Sequence, residues 1–121
     1  MYPMWESKGG RDMTLNEYQT KALSTAIFPR DNEIPYLALA LCGESGEVAD
    51  KVKKVIRDKA ENFNDSETRL EIAMEVGDCL WYLANLVNSL GFTLEEIALM
   101  NIDKINRRKQ NGTLQGSGDN R

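Results

Sequence analysis

Two pairs of carboxylates recur at one spacing. Glu44 and Glu47 lie in "LCGESGEVADKV", and Glu75 and Asp78 in "MEVGDCLWYL". A three-residue step turns an α-helix through ~300°, so the two acids of each pair share a face, one turn apart, where they can bind one ion. Glu44 also interrupts an apolar stripe of Leu37, Leu41, Val48, Val52 and Val55, while Ile72, Val76, Cys79 and Leu83 surround Glu75 and Asp78. If the two helices pack antiparallel through these surfaces, four carboxylates converge. Burying them without a partner costs several kcal/mol per ion, and a divalent cation resolves the conflict. The chain has no His, so the donor set is oxygen only. That selects Mg²⁺, with Mn²⁺ as a substitute, over zinc. Either pair alone would equally suit a solvated helix surface; the joint pattern points to a metal centre. Gly46 and Gly77 stand inside the two motifs, each at a cost of ~1 kcal/mol of helix propensity relative to Ala. Close helix approach or ligand access would account for them.

Further candidates follow from the same helical geometry. Lys51 lies seven residues beyond Glu44, nearly on its face, and Lys54 three further on. Both suit phosphates near a bound metal, and both equally suit the solvated face of a charge-rich stretch, "DKVKKVIRDK". Trp81, three residues after Asp78, suits stacking on a base or packing in a core. Without His, a carboxylate has to orient or deprotonate any attacking water. Cys42 and Cys79 lack the paired spacing of a zinc site and read as small buried hydrophobes.

The elements that must position these residues are helices. Thr14 with Glu17 has capping-box spacing and opens a helix predicted to run to Phe28, where Pro29 stops it. Pro35 suits the first turn of a second helix that reaches about Lys59. Asn64, Asp65 and Ser66 are capping candidates for a third, from about Glu67 to Leu90, with Ile72, Val76, Cys79, Leu83, Leu86 and Leu90 inward. Gly91 ends it. Thr93 with Glu96 is a second capping box, opening a fourth helix through Ile97, Met100, Ile102 and Ile105 to about Lys109. No segment alternates with period two, and the short connections favour antiparallel neighbours. The expected fold is an all-α, antiparallel bundle of about four helices, one domain over residues 1–121, with 1–13 and 110–121 flexible.

A chain of 121 residues with 41% hydrophobic content buries a modest core, which favours a homodimer or homotetramer that adds buried area. With 15 Lys and Arg against 19 Asp and Glu, the net charge is -4, which argues against nucleic-acid binding driven by phosphate neutralisation. No apolar run approaches membrane-spanning length, and the first residues lack the order of a secretory signal, so the protein reads as cytoplasmic with no membrane partner.

"GESGEVADKVKK", then "EVGDCLWYLA", then "NIDKINRR" together resemble the MazG-type all-α nucleoside triphosphate pyrophosphohydrolases, in particular the small single-domain phage and bacterial members. The resemblance runs from about Tyr18 to the C-terminus. That family carries E-E-x-x-E and E-x-x-D motifs that bind Mg²⁺. It splits nucleoside triphosphates between the α and β phosphates in nucleotide-pool house-cleaning. The resemblance implies metal-binding roles for Glu44, Glu47, Glu75 and Asp78, with Glu44 or Glu47 also handling the water. Gly43 stands where the leading acid of the first motif would be. It also implies nucleotide contacts for Asn101, Lys104 and Arg108, which share a face at i, i+3 and i+7; the other reading is cationic decoration of a helix C-terminus. By the same resemblance Gln19 reads a base edge, the other reading being an exposed amide, and "GSGDNR" folds over phosphates or frays. Two further readings stay open: a phosphoribosyl-ATP pyrophosphohydrolase, which uses the same bundle and acids, and a non-enzymatic helical oligomerisation module whose acids bind structural cations.

Overall fold

The computed structural model describes residues 12–121. Over them the chain forms four α-helices and no strand: α1 (Leu15–Leu23), α2 (Glu33–Asp58), α3 (Ser66–Ser89) and α4 (Leu94–Gln110). The expectation for residues 1–11 lies outside the described region.

Both capping boxes form. The Thr14 hydroxyl accepts from the Glu17 N–H at 3.1 Å while the Glu17 carboxylate accepts from the Thr14 N–H at 3.3 Å. Thr93 and Glu96 repeat this at 3.1 and 2.8 Å. Asp65 caps α3, accepting from the Thr68 N–H at 3.0 Å and the Thr68 hydroxyl at 2.8 Å. These bonds satisfy amide donors that have no partner inside the helix.

α1 ends five residues before the predicted Phe28. Pro29 is not what stops it. The Ser24 hydroxyl donates to the Lys21 carbonyl at 2.6 Å and the Thr25 hydroxyl to the Ala22 carbonyl at 3.0 Å, local bonds that compete with continuing the helix. α2 begins at Glu33, so Pro35 is its third residue, still inside the turn whose N–H groups lack helical acceptors.

α2 and α3 form a long antiparallel hairpin, pinned at one end by Ser89 donating to Glu33 at 3.3 Å and at the other by Lys59 donating to Thr68 at 2.9 Å. α1 and α4 cover the C-terminal half of α3, and α2 packs on α3 alone among the helices. A small core of Ala22, Ala84, Val87 and Leu94, with Tyr18, Trp81 and Ile97 against it, sits where α1, α3 and α4 meet.

The stripe on α2 is as expected: Leu37 and Val55 are buried and Leu41, Val48 and Val52 half-buried. The inward face expected of α3 is corrected in part. Val76, Leu83 and Leu90 are exposed, and the buried positions are Thr68, Ala84, Asn85 and Val87. Ala84 and Val87 are covered by α1 and α4 and Thr68 by the end of α2, while the 76–83–90 stripe turns away. Cys42 is exposed rather than buried, and Cys79 half-buried. Cys42 stands five residues from Leu37, ~140° around the helix from the face that meets α3.

Candidate active site

The antiparallel hairpin brings together three of the four acids expected to converge. One carboxylate oxygen from each of Glu44, Glu75 and Asp78 lies within 4.8 Å of the others. Two oxygens on one Mg²⁺ at ~2.1 Å are at most ~4.2 Å apart, so a small side-chain rotation brings all three onto one ion. The donors are all oxygen, and nothing in the trio favours a softer metal. Glu47 is exposed and outside the trio, yet its charge reaches Glu44. Burial first, then the charges of Asp78, Glu75 and Glu47, hold the Glu44 carboxyl above its ordinary value. A site that raises an acid's pKa by crowding it with other acids is one that a cation relieves.

The glycines of the two motifs serve access rather than close packing. A Cβ at Gly43, Gly46 or Gly77 would meet nothing within 4 Å, so no helix approaches there.

Beside the trio opens a cleft of about 350 Å³ lined by Glu44, Asp78, Trp81 and Tyr82, within the range of small-molecule sites. Of the two readings of Trp81, core packing holds. Its ring packs against the core and also walls the cleft, and its Nε1 donates to the Thr25 hydroxyl at 2.9 Å. It meets Tyr82 edge to face at 4.9 Å and Phe28 at 6.4 Å, and Phe28 stacks on Tyr36 at 6.0 Å. Tyr82 was legible in principle as i+4 from Asp78; the contributions of Phe28 and Tyr36 come from the connection before α2 and the first turn of α2, and no spacing rule reaches them. The phenol of Tyr82 is pushed up by burial, by Tyr36 and by the charges of Glu44 and Asp78, and that of Tyr18 by burial and by Asp78.

The basic candidates separate into three places. Lys51 is half-buried on α2. Lys54 is bound to Asp50 at 2.9 Å, as is Lys53 at 2.9 Å, which lowers the Asp50 carboxyl to about 2. Asn101 and Lys104 line a different cleft, of about 260 Å³, with Ile97 and Met100. Arg108 is buried at the end of α4, where its guanidinium donates to the carbonyls of Gly118 at 3.5 Å and Asp119 at 3.1 Å. The C-terminal tail folds back on it, and Arg121 donates to the carbonyls of Thr113, Leu114 and Gly118 at 3.0, 3.1 and 2.6 Å. Within one chain Glu44, Glu75, Asp78 and Trp81 come together, Glu47 stays outside the trio, and α4's polar face does not join them.

Gln19 requires correction on both readings. It is neither exposed nor open to a base, but 5% accessible and fully engaged. Its amide nitrogen donates to the carbonyls of Ala84 and Phe92, each at 3.2 Å, and its oxygen accepts from the Leu94 N–H at 3.0 Å. It ties α1 to the end of α3 and the start of α4.

An antiparallel helical hairpin with an inter-helix cluster of carboxylates beside an aromatic cleft defines an all-α protein with a candidate cation site. The MazG nucleotide pyrophosphohydrolase domain family matches residues 33–113, the span that contains all four acids, and the chain belongs to that family. It is 40% identical over 115 residues to the Gene 37 protein of Mycobacterium phage L5, covering 90% of this chain and 100% of that protein. No solved structure matches it significantly. Among the described residues no helix is long and apolar enough to cross a membrane.

Proposed function

We propose that this protein hydrolyses nucleoside triphosphates between the α and β phosphates, releasing nucleoside monophosphate and pyrophosphate, with Mg²⁺ (or Mn²⁺) held by Glu44, Glu75 and Asp78. The observation that carries the reading is the convergence of those three carboxylates, from two helices, beside the cleft walled by Trp81 and Tyr82. When bound, Mg²⁺ supplies charge neutralisation on the triphosphate and on the departing pyrophosphate. Glu47, one turn from Glu44 and outside the trio, orients the water and takes its proton as the oxygen attacks the α phosphorus. Glu44, which also ligates the metal, is the second carboxylate beside that water. Trp81 and Tyr82 wall the base side, and Lys51 and Lys54 face the phosphates, Lys54 after leaving Asp50.

The working form is a homodimer or homotetramer. Leu39, Met74, Leu99 and Ile102 are each more than half exposed on one chain, an apolar surface that a second copy would cover. Assembly would also offer α4's Asn101 and Lys104 a route to a substrate site.

The test is incubation of purified protein with Mg²⁺ and a panel of ribo- and deoxyribonucleoside triphosphates, with pyrophosphate and orthophosphate assayed separately. Pyrophosphate with monophosphate is expected. Orthophosphate release, or turnover confined to phosphoribosyl-ATP, overturns the reading.

A further inference from the structure

Two amides are buried in the helical core, Gln19 on α1 and Asn85 on α3. Gln19 makes three hydrogen bonds and has nothing left to offer a ligand. Asn85 differs. It is 1% accessible, and its Nδ2 donates to the Trp81 carbonyl one turn back at 3.0 Å, which sets the direction of the amide. Its Oδ1 has no hydrogen-bond partner; among the described residues the only other such buried side-chain atom is Arg108 Nε. A buried acceptor without a donor is costly, and an apolar residue of similar size would avoid the cost entirely. This acceptor is therefore free to take a donor from outside the chain.

Its position says which partner. Asn85 is i+7 from Asp78, i+4 from Trp81 and i+3 from Tyr82, so on α3 it shares the face of Asp78 two turns further along, one turn beyond the residues whose rings wall the cleft. A nucleotide with its phosphates at Glu44, Glu75 and Asp78 and its base among the aromatic rings points the base edge toward Asn85, provided one ring rotates aside. The donor must reach a recessed oxygen. An exocyclic amine projects furthest from a base; the ring N–H of uracil lies between two carbonyl oxygens that would be driven against Oδ1, and guanine presents its O6 carbonyl at the edge where adenine carries its amine.

We propose that Asn85 is the base-reading residue of this site, its Oδ1 accepting a hydrogen bond from the exocyclic amine of a cytosine or adenine nucleotide. This rests on the nucleotide reading above and names the substrate class within it.

The test compares nucleotides that differ only in the donor: CTP against its analogue with hydrogen in place of the 4-amino group, and ATP against its 6-hydrogen analogue. The native protein should favour the amine-bearing member of each pair about tenfold in kcat/KM, the worth of one neutral hydrogen bond. Asn85→Leu should bring both ratios close to one while its melting temperature holds or rises. A native ratio near one overturns the proposal without any variant, and so does a ratio that survives in Asn85→Leu, which would leave Asn85 a structural residue only. Should no nucleotide be hydrolysed, the same pairs are compared by calorimetric Kd. An amine preference in binding alone then overturns the hydrolysis reading and keeps this one, and no binding of either pair overturns both.

Discussion

The two halves of the α2–α3 hairpin treat polar groups in opposite ways. At the end covered by α1 and α4, Gln19 is bonded at both ends of its amide, Asn16 exchanges hydrogen bonds with Glu95 at 3.1 and 3.2 Å, and small apolar residues close the core. At the carboxylate end Glu44, Glu75 and Asp78 face one another without a cation from the chain, and open glycines leave them accessible. The first arrangement lowers the free energy of the folded chain. The second raises it, and such strain is retained where a ligand relieves it. The bonded core and the carboxylate cluster are thus separated along one helix, α3, by about two turns, with Trp81 and the unbonded acceptor of Asn85 shared between them.

That separation can be broken from the functional side with the largest effect. Asp78→Asn should lower kcat/KM by about a hundredfold or more and weaken Mn²⁺ binding in a calorimetric titration, since it removes one of three anionic ligands. Glu47→Gln should lower kcat by a similar factor yet leave Mn²⁺ affinity nearly unchanged, because Glu47 lies outside the trio. In chelator-treated buffer the melting temperature of Asp78→Asn should equal or exceed that of the native protein, as one of three crowded charges is gone. A marked fall there would place Asp78 in the structural half.

From the stability side, Gln19→Ala should cost about 2–3 kcal/mol in denaturant unfolding, because it removes the partner of one buried carbonyl, one part-buried carbonyl and one buried N–H. Turnover per folded molecule should be retained. A change in base preference without loss of stability would return Gln19 to the substrate site.

The smallest effect sharpens the comparison at the far end of α3. Bonds from the Thr68 hydroxyl and the Thr68 N–H hold the Asp65 carboxyl below its ordinary value. A carboxyl lowered in the folded state stabilises fully above its unfolded pKa, near 4, and loses that contribution as pH falls through the lowered folded value. Asp65→Ala should therefore lower the melting temperature by a few degrees at pH 7, and the gap to the native protein should narrow below pH 4. Nucleotide turnover at pH 7 should not change at a temperature where both proteins are folded.

Much of the candidate site could be read before any coordinates, because the relevant rules are local. The i, i+3 placement of Glu44 with Glu47 and of Glu75 with Asp78 specifies a shared helix face whatever the helix packs against. Thr14, Asp65 and Thr93 are capping residues within three positions of the amides they bind. What periodicity could not reach is the identity of the neighbour on the other side. The end of α1 was set by two hydroxyls and not by Pro29, a choice between local bonds of similar strength.

By itself, then, the sequence determined four helices, their caps and the two faces that carry acids, since each follows from dihedral periodicity and bonds spanning three or four residues. The tertiary structure decided which acids meet. Glu44 joins Glu75 and Asp78 while Glu47 does not, because the hairpin register slides one helix along the other by amounts that side-chain packing sets. It also decided the fates of three polar side chains that look alike in a helical pattern. Gln19 is consumed by carbonyls 65 and 73 residues away, Arg108 by its own tail, and Asn85 keeps an acceptor unbonded. A helix face specifies where a side chain points, whereas a buried hydrogen bond depends on groups distant in sequence that only the packed chain brings within 3.5 Å.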